Sequence, residues 1–84
     1  MIESKKRFDR SIAEQTAKTY PRVPGAIWYM STPTGSLAHA SSMLGDIYEE
    51  ISLWVLKIDI ETFRFFDTFE EAQNDRVLRG LPHG

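Results

Sequence analysis

The side chains best suited to chemistry lie in the stretch WYMSTPTGSLAHA, residues 28–40. Hydroxyl groups precede His39 there, and a hydroxyl beside an imidazole is the basis of nucleophilic catalysis. A helical histidine needs a partner about one turn away, but positions 35, 36, 42 and 43 hold Gly, Ser, Ser and Met. His39 is therefore interpreted as a solvent-facing helix residue. We expect no catalytic residue, no metal site and no cofactor.

The segment STPTGS, residues 31–36, could hold an anion, because the first N–H groups of a helix point outward. Phosphate-binding loops carry a lysine or several glycines at defined places. This segment has one glycine and no basic residue. It is interpreted as a helix start, in which Thr32 is the N-cap and Pro33 the first helical residue.

Trp28 and Tyr29 are the strongest indication of function. Successive strand residues face opposite sides of a sheet, so at least one of the two should be half-exposed. Exposed Trp and Tyr side chains commonly anchor protein interfaces. We expect a protein partner to contact Trp28 or Tyr29. The acidic residues that could orient this partner are Glu49, Glu50, Glu70 and Glu71.

The acidic candidates form two adjacent pairs, Glu49–Glu50 and Glu70–Glu71. Neighbouring side chains on a strand or helix diverge, so neither pair makes an acid/base dyad by itself. The first pair is interpreted as a solvated entrance to a strand. The second is interpreted as the acidic start of a helix, which favours the helix dipole.

The first half of the chain predicts a helix, a strand and a second helix. Apolar or hydroxylated side chains recur every fourth residue from Phe8 to Tyr20, which predicts an amphipathic helix over 6–19. The segment AIWYM, residues 26–30, is short and aromatic and predicts a strand. A common face predicts a helix over 33–44 with a small, alanine-rich middle that packs closely on a sheet: Leu37, Ala40, Ser41 and Leu44. Ser36 is an alternative start one turn later.

The second half predicts two strands and a last helix. The segment ISLWVLKIDI, residues 51–60, is apolar on both faces, which is typical of a central strand covered on both sides. Residues 61–67 predict a turn and a short strand. A helix over 68–79 follows, capped by Asp67 or Thr68 with one of the two glutamates that follow.

These elements predict an α+β fold in the order α-β-α-β-β-α. The strands at 26–30 and 51–60 would be parallel, joined by a right-handed crossover, and the third strand would make the three-stranded sheet mixed. We expect one domain over 1–84, with residues 1–5 and 81–84 as flexible ends. A sheet of three strands also leaves an edge through which a homodimer could form.

Composition and charge narrow the function classes. The chain has no cysteine, no apolar run of membrane-spanning length and no signal-peptide segment in its first residues, which favours a cytoplasmic protein. Net charge is −2, with a basic excess before residue 31 and an acidic excess after it. The basic residues of the first predicted helix are an alternative nucleic-acid site: Lys5, Lys6, Arg7 and Arg10. Nucleic-acid-binding domains usually show a basic excess over the whole fold, which argues against this alternative.

The stretch GAIWYMSTPTGSLAHA followed by LWVLKIDIETFRFFD resembles the middle of ADP-ribosyltransferase-like domains in outline. There an aromatic strand ends at a hydroxylated residue, a helix with an early proline and packing alanines follows, and a strand of the VLKIDI type comes next. The resemblance implies, as an alternative, a reduced transferase that uses His39, Thr32 and a glutamate. Those domains also have an upstream strand bearing His or Arg and a glutamate on a later strand, for which this sequence offers no counterpart.

The preferred interpretation is a small binding protein that is not an enzyme. It would act through protein–protein interaction as an inhibitor or regulator of a larger complex. Short chains without cysteine, metal-ligand spacing or a phosphate loop are typical of accessory regulators and of inhibitors carried by phages or other mobile elements.

Overall fold

The computed structural model describes residues 3–37 and 48–83. Its elements are, in chain order, α1 (Arg10–Lys18), β1 (Ile27–Leu37), β2 (Tyr48–Lys57), β3 (Phe63–Phe66) and α2 (Phe69–Leu78). The strands form one antiparallel sheet in the order β1-β2-β3, so β2 is central. The described part of the chain is therefore an α+β domain.

The pairing of the first two strands corrects the predicted topology. β1 and β2 are antiparallel, with Ile27 opposite Leu56, so the prediction of a parallel pair in a mixed sheet is wrong. The predicted helix over 33–44 is also wrong where it can be compared, because residues 33–37 belong to β1. Residues 38–44 lie outside the described part. Within the described residues, the observed order is α-β-β-β-α, whereas the predicted order is α-β-α-β-β-α.

Hydrogen-bond direction explains why Pro33 fits a strand. The Lys57 N–H donates to the Ala26 carbonyl, so even-numbered residues of β1 bond to β2 and odd-numbered ones point their backbone groups away. The missing N–H of Pro33 therefore lies on the outer edge, where sheets tolerate proline. The Asp9 N–H donates to the Pro33 carbonyl at 2.9 Å, in agreement with this direction. Thr32, predicted as an N-cap, is instead a fully buried strand residue.

The central strand is covered on both faces, as its sequence predicts. On one face, which we call the α1 face, Leu53 and Val55 pack with Ala13 and Ala17 of α1. On the opposite α2 face, Leu56 and Phe66 pack with Ala72 of α2. Alternation along β2 thus supplies two separate apolar clusters, one beneath each helix.

Helix α1 is shorter than predicted and buries a different stripe. The Asp9 carboxylate accepts a hydrogen bond from the Ile12 N–H at 3.1 Å and caps the helix, so Phe8 precedes it. The buried residues are Ala13 and Ala17, while Ile12 is 40% exposed. Alanine allows the helix axis to approach the sheet closely, which turns the larger Ile12 towards solvent.

Helix α2 begins and ends as its sequence predicts. The Thr68 hydroxyl oxygen accepts a hydrogen bond from the Glu71 N–H at 3.2 Å, and the hydroxyl lies 2.9 Å from the Glu71 carboxylate. Asp75 and Arg79, one turn apart, form an ion pair at 2.7 Å near the end of the helix. The predicted short third strand is also confirmed, as β3.

The N-terminal segment ties the two edges of the sheet together. The Ser4 N–H donates to the Phe65 carbonyl at 2.8 Å, on the side of β3 that faces away from β2. The Phe8 ring meets the Phe65 ring edge-on, with 5.3 Å between centroids. Since Asp9 is bonded to the outer edge of β1, residues 4–9 cross the α1 face from one edge to the other.

The turn between β2 and β3 depends on Asp59, which yields a pH prediction. Its carboxylate accepts hydrogen bonds from the N–H groups of Glu61 and Thr62, each at 2.9 Å. The bond from the Glu61 N–H, followed by that from the Thr62 side chain, lowers the pKa of Asp59 from its ordinary value. A lowered pKa means that the carboxylate stabilises the fold above its ordinary pKa, and that this contribution is lost as pH falls through the folded-state pKa.

Asp59→Ala is therefore expected to lower the free energy of unfolding at neutral pH, with a difference from the wild type that shrinks as pH falls below the ordinary pKa of aspartate, about 3.9. Urea unfolding at neutral pH and at acidic pH measures it. Glu61→Ala is the control, because it retains the N–H that Asp59 accepts. A difference that is the same at both pH values would contradict the role of the ionised carboxylate.

Candidate protein-interaction surface

Three aromatic side chains form a continuous row on the α2 face. The ring of Tyr29, on β1, lies 4.9 Å from that of Trp54, on β2, and Trp54 lies 5.3 Å from Phe69 at the start of α2. Tyr29 and Trp54 are directly opposite in the register of the two strands. We call Tyr29, Trp54 and Phe69 the aromatic row.

The row is open to solvent because α2, which contacts the start of β1, does not cover Tyr29. The buried residue Ala72 of this helix packs on Leu56 and Phe66, and Ile27 packs against the same cluster, so α2 lies mainly over β2 and β3 and reaches only the start of β1 among the described residues. Tyr29 lies beyond that cover and is 59% exposed, and Phe69 is 41% exposed. The row therefore runs from beneath the helix end out to the strand edge.

Acidic side chains border the row. The Ser31 hydroxyl donates to the Glu50 carboxylate at 3.4 Å, on the same face as Tyr29 and one pleat further along β1. Glu70, also exposed, follows Phe69 in the first turn of α2. The structure thus places Glu50 on the same face as Tyr29, beside Ser31, and places Glu70 next to Phe69.

The remaining acidic and aromatic candidates lie elsewhere. Trp28 is only 6% exposed and belongs to the α1-face cluster, with its ring 5.7 Å from that of Tyr20 and 6.4 Å from that of Phe63. Glu49 is exposed on β2, and strand alternation directs it away from the α2 face. Glu71 is engaged in capping α2. Of the two predicted aromatic anchors, Tyr29 is the accessible one.

The four basic residues predicted as a nucleic-acid site do not lie together on one helix. Lys5, Lys6 and Arg7 precede α1, so of the four predicted residues Arg10 alone lies within it. Lys6 is 3.8 Å from Asp67, and Arg10 is paired with Glu3. The cations are therefore distributed along the crossing segment and partly neutralised there.

A cavity of about 200 Å³ lies beside the start of α1, lined by Asp9, Ile12, Pro33 and Gly35. It is smaller than typical ligand pockets, which measure roughly 300–1,000 Å³. Its one carboxylate, Asp9, already caps the helix. His39 lies outside the described residues.

The described ranges 3–37 and 48–83 offer neither a metal-binding cluster nor a membrane-spanning helix. They contain no group of three or more His, Cys, Asp or Glu side chains placed to hold a metal ion. No helix in them is long and apolar enough to cross a membrane.

Sequence reasoning did not single out Trp54 and Phe69, because a tryptophan in a central strand and a phenylalanine beside a capping residue both resemble core positions. Strand alternation is the signal that could have indicated Trp54. It alternates with Leu53 and Val55, so its side chain lies on the face opposite the α1-face cluster. The likeness to ADP-ribosyltransferase-like domains needed a helix start at Pro33, where the chain continues as a strand. Comparison with protein-family models, curated proteins and solved structures finds no match for this chain.

Proposed function

We propose that this protein acts by binding another protein through the aromatic row, as an inhibitor or regulator, without catalysing a reaction. The supporting observation is Tyr29, which is 59% exposed although its ring packs against Trp54. A tyrosine already held by a neighbouring ring loses little side-chain entropy on binding and presents a large amphipathic contact area. Tyrosine and tryptophan are also the residue types enriched at interface hot spots.

The border of the row indicates the chemistry of the partner. Glu50 and Glu70 flank the aromatic side chains, so the complementary surface would combine an apolar or aromatic pocket with basic side chains at its rim. Charges at a rim mainly increase the association rate and set orientation. Raising the salt concentration should therefore slow association more than it accelerates dissociation.

Tyr29→Ala is expected to weaken partner binding by about 2 kcal/mol, or about 30-fold, because it removes the proposed anchor. Val23→Ala is the matched control, since Val23 is also 59% exposed but lies in the turn before β1. The measurement is quantitative mass spectrometry of proteins captured from native lysate by the wild type and by each variant. Binding constants for any captured protein follow by calorimetry.

The proposal requires a protein that the wild type and Val23→Ala capture and Tyr29→Ala does not. Circular dichroism and thermal unfolding should show that Tyr29→Ala is folded, since its side chain is mostly exposed. Capture of the same proteins at the same affinity by all three chains would contradict the role of the aromatic row.

A further inference from the structure

We infer that the outer edge of β1 pairs with the same edge of a second copy of this chain, in an antiparallel register centred on Tyr29. The inference goes beyond the proposed function and does not depend on it. It rests on which backbone groups remain open at the edge, on how the two ends of β1 are charged, and on the side chains between them.

The open backbone groups are those of Ile27, Tyr29 and Ser31. These odd-numbered residues direct their N–H and C=O groups away from β2, and no backbone hydrogen bond from elsewhere in the described residues reaches them. Pro33 ends the series on one side, because it has no N–H and its carbonyl already accepts from Asp9. Gly25 ends it on the other, because its N–H donates to the Lys57 carbonyl. Three consecutive outward positions thus form a bounded edge.

This set of positions is symmetric about its middle member. An antiparallel pair related by a twofold axis at Tyr29 places Tyr29 opposite its counterpart and Ile27 opposite Ser31 of the second copy. Each of these pairs can exchange two bonds, giving about six backbone hydrogen bonds in all. A register shifted by one pair towards either end would bring Pro33 or Gly25 into the ladder and lose bonds. The centred register alone satisfies every open group.

The opposite β-sheet edge does not offer an equivalent site. On β3 the outward carbonyl of Phe65 already accepts from the Ser4 N–H. The N-terminal segment therefore partly covers β3, while it reaches β1 only at Pro33. The section of β1 from Ile27 to Ser31 also has no charged side chain, although exposed edges commonly carry one that discourages pairing.

Charge at the two ends of the edge favours a second copy as the occupant. The Gly25 end is basic: Lys57 adjoins Ala26, and its ammonium donates to the Arg22 carbonyl at 2.7 Å. The Pro33 end is acidic, since Asp9 is bonded to Pro33 and Glu50 lies opposite it in the register. Antiparallel pairing brings the basic end of each copy beside the acidic end of the other, twice by symmetry.

The same arrangement extends the aromatic row. Strands related by an axis perpendicular to a sheet keep the same face upward, so Tyr29 of both copies lies on the shared α2 face. The Cα atoms of such a hydrogen-bonded pair are about 5.5 Å apart. Aromatic pairs across strands are themselves stabilising. The dimer would present one six-stranded sheet with a row of six aromatic side chains.

The test is the mass of the full chain in solution, measured by light scattering and sedimentation from micromolar to near-millimolar concentration. The expected result is a concentration-dependent rise from one chain to twice its 9.7 kDa, weakened by salt. Ser31→Pro removes an outward N–H that β2 does not use, and should raise the dimer dissociation constant by at least about tenfold. Ser31→Ala retains that N–H and should leave the constant near the wild-type value.

A second variant tests the register and covers the case in which Ser31→Pro does not fold. The chain has no cysteine, so Tyr29→Cys introduces a single thiol beside the twofold axis. A Cα separation of about 5.5 Å suits a disulfide, and mild oxidation should yield a cross-linked dimer faster than it does for Val23→Cys. A wild type that stays monomeric overturns the inference and leaves the edge to a strand of another protein. If Ser31→Pro folds and dimerises as tightly as the wild type, the dimer does not use this edge. If Tyr29→Cys and Val23→Cys cross-link equally fast, the proposed register is wrong.

Discussion

Phe65→Ala is expected to lower the free energy of unfolding by about 3–5 kcal/mol, the usual cost of removing a buried phenylalanine ring. A domain of this length has a total free energy of unfolding of roughly 4–13 kcal/mol, so this loss is a large fraction of the total. Phe65 is fully buried in the α1-face cluster. Its ring also supports the crossing segment, because Phe8 packs on it edge-on and the Arg10 guanidinium lies 5.3 Å from its centroid.

The matched control is Phe69→Ala, which removes the same side chain from a position that is 41% exposed. Its expected cost is about 1 kcal/mol, because part of that ring is already in contact with water. Urea unfolding followed by tryptophan fluorescence compares the two variants. Equal destabilisation would show that the α1-face cluster does not hold the fold together in the way described.

Asp75→Ala is expected to destabilise the protein by about 3 kcal/mol, through loss of a buried carboxylate that two arginines share. Asp75 is 3% exposed, and its carboxylate lies 3.3 Å from the Arg64 guanidinium and 2.7 Å from that of Arg79. Arg64 also pairs with Glu3 at 3.3 Å, so the network links β3, α2 and the N-terminal segment. Removing Asp75 leaves the positive charges of that partly buried network without their central counter-charge.

Two control variants distinguish the loss of the buried ion pairs from the loss of any carboxylate. Asp67→Ala removes an exposed acid that accepts a hydrogen bond from the Ser4 hydroxyl at 2.6 Å and lies 3.8 Å from Lys6, and should cost about 1 kcal/mol. Asp75→Asn keeps the shape and a hydrogen-bond acceptor but not the charge, and should fall between the wild type and Asp75→Ala. If Asp75→Ala and Asp67→Ala shift the urea midpoint equally, the ion-pair network is not a significant source of stability.

The largest difference between the predicted and observed fold comes from residues 31–37. Thr32 followed by Pro33 is a good helix start by local criteria, and the same pair also suits an edge strand whose proline points away from its neighbour. The two interpretations cannot be separated within that segment. The choice depends on β2, which pairs with Thr32 and Pro33 through Ile51 and Glu50. Because that pairing joins residues far apart in the chain, local periodicity does not contain it.

For the two aromatic candidates, Trp28 and Tyr29, the sequence likewise predicts one property and the packing of the helices decides another. Alternation correctly predicts that Trp28 and Tyr29 face opposite sides of β1. Which of them is accessible depends on the helices: α1 packs on the face of Trp28, while α2 lies mainly over β2 and β3, contacts the start of β1 and leaves Tyr29 largely exposed. The length and placement of α2, not the identity of either aromatic residue, decide this.

Local sequence patterns correctly predict the elements whose signals lie within one strand or one helical turn. Apolar residues on both faces of 51–57 identify a central strand, and Thr68 with Glu71 marks the start of α2, because each pattern depends on neighbours within one strand or turn. Strand direction, the extension of β1 beyond residue 30 and the exposure of the aromatic row depend on contacts between segments that are far apart in the chain. These features arise from backbone pairing and layer coverage between distant segments, where the gain from burial and hydrogen bonding outweighs local helix preference.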